Sequence, residues 1–546
     1  MKYYIKSLTI AVLILSAFSC SDYLIEESTS SFTASFTYNT PEGLESGVVA
    51  LYNFQRSFWE NSASNGSNPI VIDSRDDLTI PRGGEISNYG RMIQGTTPAN
   101  SFAMAAYWKQ YYRIIDRTNA IIDAAEKIQG MDAIRKNNVI AEAKFFRANS
   151  VFTLFKLFNN IYVTTVPTTP ENARDLISNK TPEADIYKLV NEDLTFAIQN
   201  LAWKPVDLGR ISQGAARHVK AEVALWQKNW QEAKTQSEAI INSGNYSLVS
   251  STGLVFKGDV NHSEALWTIQ FKALVNGSPH KVNFNLMPNY AELIPGSKYS
   301  IEQGGRGFGW LTLNNYLRDL LNEDPGDTRI KGSYYIQDYV YNDAATLPAG
   351  KVLGEKIVHA TWKEFAAASA DRNFFFIRLN AGCKKYFPDD GNPTLDTQTK
   401  NIMIYRLAET YLYAAEANMM LGDKPAALIH LNKVRTRAGA KAATDITIET
   451  ILKEQAMELA FEGRRWYMLK RTGKLYDYVI DHAGYGLAGD KSAENSTAGG
   501  ANNTVQKPLP YKNDARRVMK PYMVNWAIPL SEMNLLGAGY PQNDGY

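Results

Sequence analysis

Apolar residues recur at helical spacing along much of the chain. Between residues 102 and 128 they fall three or four positions apart, as on one face of a helix, and residues 132–158 carry a broad apolar stripe. Pro41 opens an earlier helix, with Thr40 as its candidate N-cap, that runs to about Trp59. The same spacing predicts further helices, at residues 182–201, 211–228, 230–243, 402–437 and 447–470.

Two of these stretches share one arrangement of residues. In each, a helix rich in small residues ends at a short polar turn, Lys228-Asn229 or Gly422-Asp423, and an amphipathic helix follows. The second helix opens with small residues, Ala233 in one case and Ala426 and Ala427 in the other, and the small residues of the first helix let the second approach closely. Because one such hairpin cannot bury its apolar stripe alone, hairpins of this kind stack on one another, as in tetratricopeptide repeats.

Helical periodicity is lost in two long segments, residues 59–100 and 245–400. Both are rich in Gly, Asn and Pro, and the second contains strand-like runs at 264–271 and 351–358. Aromatic residues recur through the second segment, at Phe284, Tyr290, Tyr299, Phe308, Trp310 and Tyr316.

These patterns predict a predominantly α protein. Tetratricopeptide-like helix pairs, mainly in residues 102–243 and 402–475, are expected to pack against an irregular, loop-rich region with short strands. A closing segment, 484–546, is expected to pack along the surface of the helices. The body of the protein is thus residues 41–546.

The first residues have the layout of a secretory signal peptide, residues 1–19. Lys2 and Lys6 make a positive start, an apolar run extends from Leu8 to Phe18, and Cys20 follows. This layout favours a bacterial lipoprotein, lipidated at Cys20 and joined to its body by a tether over residues 20–40. An ordinary cleaved signal with a coincidental cysteine is the alternative, since Ala17 stands where lipoboxes usually carry Leu.

Composition excludes some classes of protein. The formal charge is only +2, from 58 basic and 56 acidic residues, so we expect no nucleic-acid partner. If Cys20 is lipidated, Cys383 has no cysteine partner and is expected to be a buried apolar residue.

Catalytic and metal-binding motifs are not found in the sequence. No two of the six His residues lie within five positions of each other, and no nucleophile elbow or phosphate loop is present. The acidic pairs Asp76-Asp77 and Asp389-Asp390 are typical of solvated turns, with ligand binding or catalysis as alternatives. The basic run 463–474 fits a structural helix, or else a site for an acidic partner. We therefore expect no enzyme activity, no metal and no cofactor.

Several segments resemble one known family, the SusD/RagB outer-membrane lipoproteins of Bacteroidota. The resemblance spans nearly the whole chain. It rests on CSDYLIEES at 20–28, AEAKFFRANSVFTLFKLFNNIYVTT at 141–165, QGAARHVKAEVALWQKNWQEA at 213–233, DTR at 327–329, IYRLAETYLYAAEANMMLGD at 404–423, ELAFEGRRWYMLKRTGK at 458–474 and IPLSEMNLLGAGYPQNDGY at 528–546.

The resemblance implies a lipid-anchored protein of the outer membrane, exposed at the cell surface. Such proteins cover a SusC-type TonB-dependent transporter, bind oligosaccharides and deliver them to it. A peptide-binding member of the same family is the alternative, and a secreted hydrolase is a further one.

The resemblance also implies that the sugar site lies in loops of the irregular region, roughly 59–100 and 274–345. Sugar rings stack on aromatic faces, and their hydroxyl groups need polar partners. The candidate residues for stacking are Trp59, Tyr89, Tyr290, Tyr299 and Trp310, and those for polar contacts are Asp73, Asp76, Arg82, Asn285 and Arg306. Trp310 is the foremost candidate, because the glycines around it are expected to leave its indole ring without packing partners.

Overall fold

A computed structural model describes most of the chain. The described residues are 37–60, 70–81, 102–272, 279–292, 294–358, 379–483 and 519–546. The signal segment, Cys20, Arg82, Tyr89 and most of the segment 484–546 lie outside these ranges.

Helices dominate the described residues. They are α1 (Pro41–Glu60), α2 (Ile70–Asp73), α3 (Phe102–Lys127), α4 (Ala133–Phe158), α5 (Glu183–Asn200), α6 (Gln213–Trp226), α7 (Trp230–Ile241), α8 (Thr252–Val255), α9 (Val282–Leu286), α10 (Asn315–Asn322), α11 (Leu407–Met420), α12 (Lys424–Arg437), α13 (Ile448–Leu459), α14 (Arg465–Arg471), α15 (Leu475–His482) and α16 (Leu530–Met533). Short 3₁₀ turns lie at Ala344–Thr346 and Pro521–Val524.

Six short strands form three antiparallel pairs. They are β1 (Thr79–Pro81), β2 (Ala265–Ile269), β3 (Leu311–Leu313), β4 (Tyr335–Ile336), β5 (Gly382–Cys383) and β6 (Ile402–Arg406), among the residues that the structure describes. β1 pairs with β3, β2 with β6 and β4 with β5. Thr79 lies opposite Leu313, Ala265 opposite Arg406, and Tyr335 opposite Cys383.

The long helices pack in one continuous series. α3 contacts α4, α4 contacts α5, and the series continues through α6 and α7 to α11 and α12, although α8 to β6 intervene in sequence. The predicted class is confirmed: the fold is predominantly α, and helix pairs pack against a loop-rich region with short strands.

The two hairpin turns predicted from sequence are built alike. Asn229 caps α7 by accepting the Glu232 N–H at 3.2 Å, and Asp423 caps α12 by accepting the Ala426 N–H at 3.1 Å. The residue before each cap, Lys228 or Gly422, has positive φ. Buried alanines then pack between α6, α7 and α11, as the spacing predicts; they are Ala221, Ala224, Ala233 and Ala417.

Three sequence expectations about local structure are wrong. Residues 402–406, the start of the predicted helix 402–437, are not helical; they form strand β6, which pairs with β2. The predicted helix 447–470 breaks between α13 and α14, where Phe461 and Gly463 have positive φ. Residues 351–358 form turns rather than a strand, with one isolated bridge between Val340 and Lys356.

The end of the chain packs on the helices. Trp526 donates its backbone N–H to the Leu157 carbonyl at 2.8 Å, and the Asn543 amide donates to the Trp526 carbonyl at 2.7 Å. The buried guanidinium of Arg75 lies 4.8 Å from the ring centroid of Trp466 and 4.9 Å from that of Trp526. This cation–π contact joins α14 to the closing segment.

A buried network of charges joins the irregular region to the helices. Glu458 of α13 lies at its centre and accepts from Arg406 at 2.6 Å, from Arg329 at 3.1 Å and from Arg437. Burial by itself would raise the pKa of Glu458, but these three guanidinium groups hold it well below its ordinary value. The carboxylate is therefore ionised and fully paired.

The DTR segment extends this network. Asp327 accepts from Arg329 at 2.6 Å, and Arg329 also donates to Glu454 at 2.7 Å. Because an unpaired buried charge is costly, each of these groups depends on its partners.

We expect the substitution Glu458→Gln to destabilise the fold strongly, because it leaves three buried guanidinium groups short of a negative partner. The expected loss in the free energy of unfolding is about 3–5 kcal/mol, measured by urea denaturation. The control Glu323→Gln removes an exposed carboxylate 3.8 Å from Lys453 and should cost less than about 1 kcal/mol. Equal effects of the two substitutions would contradict the role given to the network.

Candidate functional site

Two phenylalanine rings form an aromatic surface on the irregular region. Phe284 of α9 and Phe308 lie with ring centroids 5.6 Å apart and planes only 21° apart. The Phe308 N–H donates to the Phe284 carbonyl at 2.7 Å, which fixes the backbone positions of the pair. Both side chains are half-buried, so part of each ring faces solvent. We call Phe284, Phe308 and Arg306 the aromatic surface.

Cationic side chains flank the Phe284 ring. The guanidinium of Arg306 lies 5.9 Å from its centroid, and the ammonium of Lys281 lies 5.8 Å from it. Lys281 pairs with Asp396 at 2.9 Å. Arg306 is exposed, and within the described ranges no carboxylate forms a salt bridge with it. Its guanidinium donors are therefore available at the edge of the aromatic surface.

A glycine-rich loop supports this surface from behind. Gly304, Gly305 and Gly309 all have positive φ, and the Asn283 amide donates to the Gly304 carbonyl at 3.0 Å. A Cβ atom at Gly307 would lie 2.0 Å from the carbonyl oxygen of Met287. The missing side chains thus let the loop fold directly onto α9.

The expectation that the glycines leave Trp310 without packing partners is wrong. The indole is only 8% exposed and lies 5.3 Å from the Phe308 ring, inside the main core. The surrounding glycines bring the backbone close enough to bury the ring, which is the opposite of the expected effect. Trp310 therefore supports Phe308 rather than presenting its own face.

Two more of the candidate residues are packed into the interior of the irregular region. Tyr290 is fully buried, stacks on Tyr339 at 4.8 Å, and accepts the Ser300 N–H at 2.9 Å. Asn285 is buried in α9. Tyr299 is half-buried; its ring meets Tyr290 edge-on at 5.4 Å, and its hydroxyl donates to Asn289.

The acidic candidates lie in the interior as well, where they brace the fold. Asp73 accepts the Gly463 N–H at 3.1 and 3.2 Å, and Asp76 accepts the Leu78 N–H at 2.8 Å. The neighbouring Asp77 binds Arg465 through two contacts of 2.7 Å. The first half of the basic run 463–474 is thus structural, and the expectation that Asp76-Asp77 is a solvated turn is wrong.

The remaining candidates are Trp59, Arg306, Arg82 and Tyr89. Trp59 is half-buried near Tyr386, with 6.5 Å between ring centroids. Arg306 is brought to the aromatic surface, whereas Arg82 and Tyr89 lie outside the described residues. The sequence reasoning did not select Phe284, Phe308 or Lys281 as site residues. The sequence signals for the two phenylalanines are their place among the recurring aromatic residues of the irregular region and, for Phe308, its alternation with glycines.

The acidic, histidine and cysteine side chains and the helices of the described residues bear on three other features: a metal site, a reactive thiol and a membrane span. Among the described residues, no group of three His, Cys, Asp or Glu side chains could hold a metal ion. Cys383 is fully buried, and burial raises the pKa of its thiol to about 12. None of the helices in the described ranges is long and apolar enough to span a membrane.

Together, the stacked helix hairpins and the irregular region packed against them define a helical-repeat protein with an aromatic surface on its irregular region. Residues 264–546 match the family model described as "SusD family", and residues 22–225 match one described as "Starch-binding associating with outer membrane". Because the first match spans more than half of the chain, the protein belongs to the SusD family.

Two relatives in sequence agree with this family. SusD-like protein P25 of Formosa agariphila is 25% identical over 500 residues, covering 86% of this chain and 90% of the relative. A SusD-like protein of Bacteroides ovatus is 25% identical over 501 residues, covering 85% of this chain and 81% of the relative.

Solved structures show the same fold. A laminarin-binding SusD-like protein superposes with a TM-score of 0.67 at 22% identity, covering 93% of this chain and 100% of its own. Surface glycan-binding protein A from Bacteroides thetaiotaomicron, in complex with laminarihexaose, has a TM-score of 0.67 at 18% identity and covers 92% and 99%.

The pH dependence of stability tests the environment of Asp73. Burial raises the pKa of this carboxyl from 3.8 to about 8, so the native state keeps a proton that the unfolded chain loses. The stability of the wild type should therefore contain a contribution that is lost as pH rises from about 4 to 8. Asp73→Asn removes this contribution.

As the pH is raised from 5 to 8, the free energy of unfolding of the Asp73→Asn variant should therefore increase relative to that of the wild type. Urea denaturation at several pH values measures this difference. A difference that stays constant over the whole range would show that Asp73 is ionised in the native protein.

Proposed function

We propose that this protein captures glycans on the aromatic surface. The observation that carries the proposal is the pair of nearly parallel, half-buried rings of Phe284 and Phe308 with the exposed guanidinium of Arg306 beside it. A sugar ring has an apolar face that packs on such rings and hydroxyl groups that accept from arginine. The named ligands of two structural neighbours, laminarin and laminarihexaose, support the same class of ligand.

The proposed site differs in detail from the residue set expected from sequence. Phe284, Phe308 and Arg306 contact the sugar, with Trp59 and Tyr299 as further candidates because their side chains are not fully buried. Asp73, Asp76, Asn285, Tyr290 and Trp310 act as supports in the interior. Arg82 and Tyr89 keep the ligand-binding role proposed from the sequence.

The substitution Phe308→Ala tests this site. We expect it to lower the affinity for the bound glycan about two- to tenfold, the magnitude of an aromatic stacking contact. Affinity electrophoresis through gels containing starch, laminarin, xylan, mannan or pectin identifies the glycan and measures the change. Arg306→Gln should weaken binding to the same glycan.

Phe196→Ala is the matched control. Phe196 is also half-buried, with the Lys144 ammonium 5.4 Å from its ring, but it lies on α5 of the helical repeats. Its loss should leave retardation unchanged. Retardation by none of the polysaccharides, or equal retardation of the Phe308→Ala and wild-type proteins, would contradict the proposal; binding of peptides instead would favour the peptide-binding alternative. Bound oligosaccharides should also remain uncleaved, as expected of a binding protein.

We further propose that the protein is anchored to the outer membrane by a lipid on Cys20 and delivers glycan to a SusC-type TonB-dependent transporter. The layout of residues 1–20 supports the anchor, and the family description supports association with the outer membrane.

Cys20→Ala should release the protein from the membrane fraction into the soluble one. The wild-type protein, extracted in detergent, should co-purify with a TonB-dependent transporter. Retention of the Cys20→Ala protein in the membrane would refute the lipid anchor, and purification without any transporter would refute the delivery role.

A further inference from the structure

A groove separate from the aromatic surface lies beside the helical repeats, around the loop between α5 and α6. Two cavities of about 360 and 410 Å³ lie on either side of residues 207–210 and share Trp267 and Thr268. Both volumes fall in the range of small-molecule sites. None of the residues that line them belongs to the aromatic surface. We call this feature the Trp203 groove, after the indole in its wall.

The first cavity combines aromatic faces with polar groups. Trp203 and Tyr246 are both half-buried, and their ring centroids lie 6.4 Å apart at 60°. Lys204 and Asp207 are exposed at the rim, and Asn245 lines the wall. An amphipathic ring with hydroxyl groups at its edge matches such a lining, because its face meets the indole and its edge meets the polar side chains.

The second cavity continues this lining across the loop. It is bounded by Tyr52 and Asn53 of α1, by Leu208 and Arg210 of the loop, and by Gln270 after β2. Aromatic and amide side chains thus line both sides of residues 207–210, and the Arg210 guanidinium in the wall is held by Glu142 at 3.1 Å. A ligand longer than one ring could contact both cavities.

The walls of the groove are fixed by hydrogen bonds. The Tyr246 hydroxyl donates to the Trp203 carbonyl at 2.7 Å, and the Trp267 indole donates to the Gly209 carbonyl at 3.1 Å. The Ile211 N–H donates to the Tyr52 hydroxyl at 2.8 Å. Because these contacts already hold the loop in place without a ligand, binding requires little further loss of conformational freedom.

Backbone pairing with a peptide is disfavoured here. An extended peptide binds by adding a strand to an open sheet edge. The loop already lies along β2: the Ser212 hydroxyl donates to the Leu266 carbonyl at 2.9 Å, and a Cβ at Gly209 would lie 3.1 Å from the Thr268 carbonyl. The lining therefore favours a carbohydrate over a peptide strand.

We propose that the Trp203 groove is a second carbohydrate-binding site, which takes a short stretch of glycan with one ring packed on Trp203. This site goes beyond the proposed function, since it requires no residue of the aromatic surface. Two separate sites would let one protein hold a long polymer at two points and thereby raise its overall avidity.

Fluorine NMR of the full-length protein labelled with 5-fluorotryptophan tests the site directly. The chain has ten Trp residues, and Trp203→Phe assigns the Trp203 signal by its disappearance. The probes are maltose, cellobiose, laminaribiose, mannobiose and xylobiose at millimolar concentration. We expect at least one of them to shift the Trp203 signal in a saturable way.

The controls separate this site from the aromatic surface. The signal of Trp230, half-buried on α7 and outside both cavities, should not move, and glycerol at equal concentration should shift neither signal. The Trp203 shift should persist with the same saturation in the Phe308→Ala protein. It should also persist if affinity electrophoresis gives no retardation, since the two measurements probe different residues.

Three results would overturn the proposal. One is a Trp203 signal that no disaccharide moves. Another is a shift that disappears in the Phe308→Ala protein, which would assign the effect to the aromatic surface. The third is a shift caused by a short apolar peptide such as Leu-Val-Leu but by none of the sugars, which would identify the groove as a peptide site.

Discussion

The buried carboxylate of Glu458 is the constraint on which the arrangement of this protein depends. It belongs to α13, yet its partners come from the irregular region at Arg329, from the end of β6 at Arg406 and from α12 at Arg437. A charge buried this deeply is stable only when its partners are in place. Packing of the irregular region against the helices therefore has to bring these partners together around Glu458.

This constraint explains how loops can form a surface of defined geometry. The segment that carries the aromatic surface has little regular structure of its own, and its strands are two to five residues long. Its position comes instead from fixed points: the DTR segment in the charge network, and the glycine loop packed on α9. Binding residues on loops are then held by a rigid scaffold, as is common for recognition sites.

The helical part was largely predictable because its signals are local. The ends of α3, α4 and α5 lie within a residue or two of the predictions, and the turns at Asn229 and Asp423 follow from capping chemistry that acts over three residues. Residues 402–406 could not be predicted in this way, because their strand exists only through pairing with β2, which is more than 130 residues away in sequence.

The candidate site was less predictable, for a related reason. Burial of Trp310 depends on how the glycine loop folds over α9, and burial of Asp73 depends on Gly463, 390 positions away in sequence. Residue type alone therefore selected Arg306, which lies at the aromatic surface, but it also selected residues that support this surface from inside. Phe284 and Phe308 emerge only when the stacked geometry of their rings is known.

The most direct test of the proposed site is a crystal structure of the protein with a bound oligosaccharide. The oligosaccharide is derived from the glycan that retards the protein in affinity electrophoresis. A glycan site on the aromatic surface predicts a sugar ring packed against Phe308 and Phe284, with a hydroxyl group within hydrogen-bonding distance of the Arg306 guanidinium. An oligosaccharide bound only at some other place, with both phenyl rings and Arg306 free of contact, would contradict it.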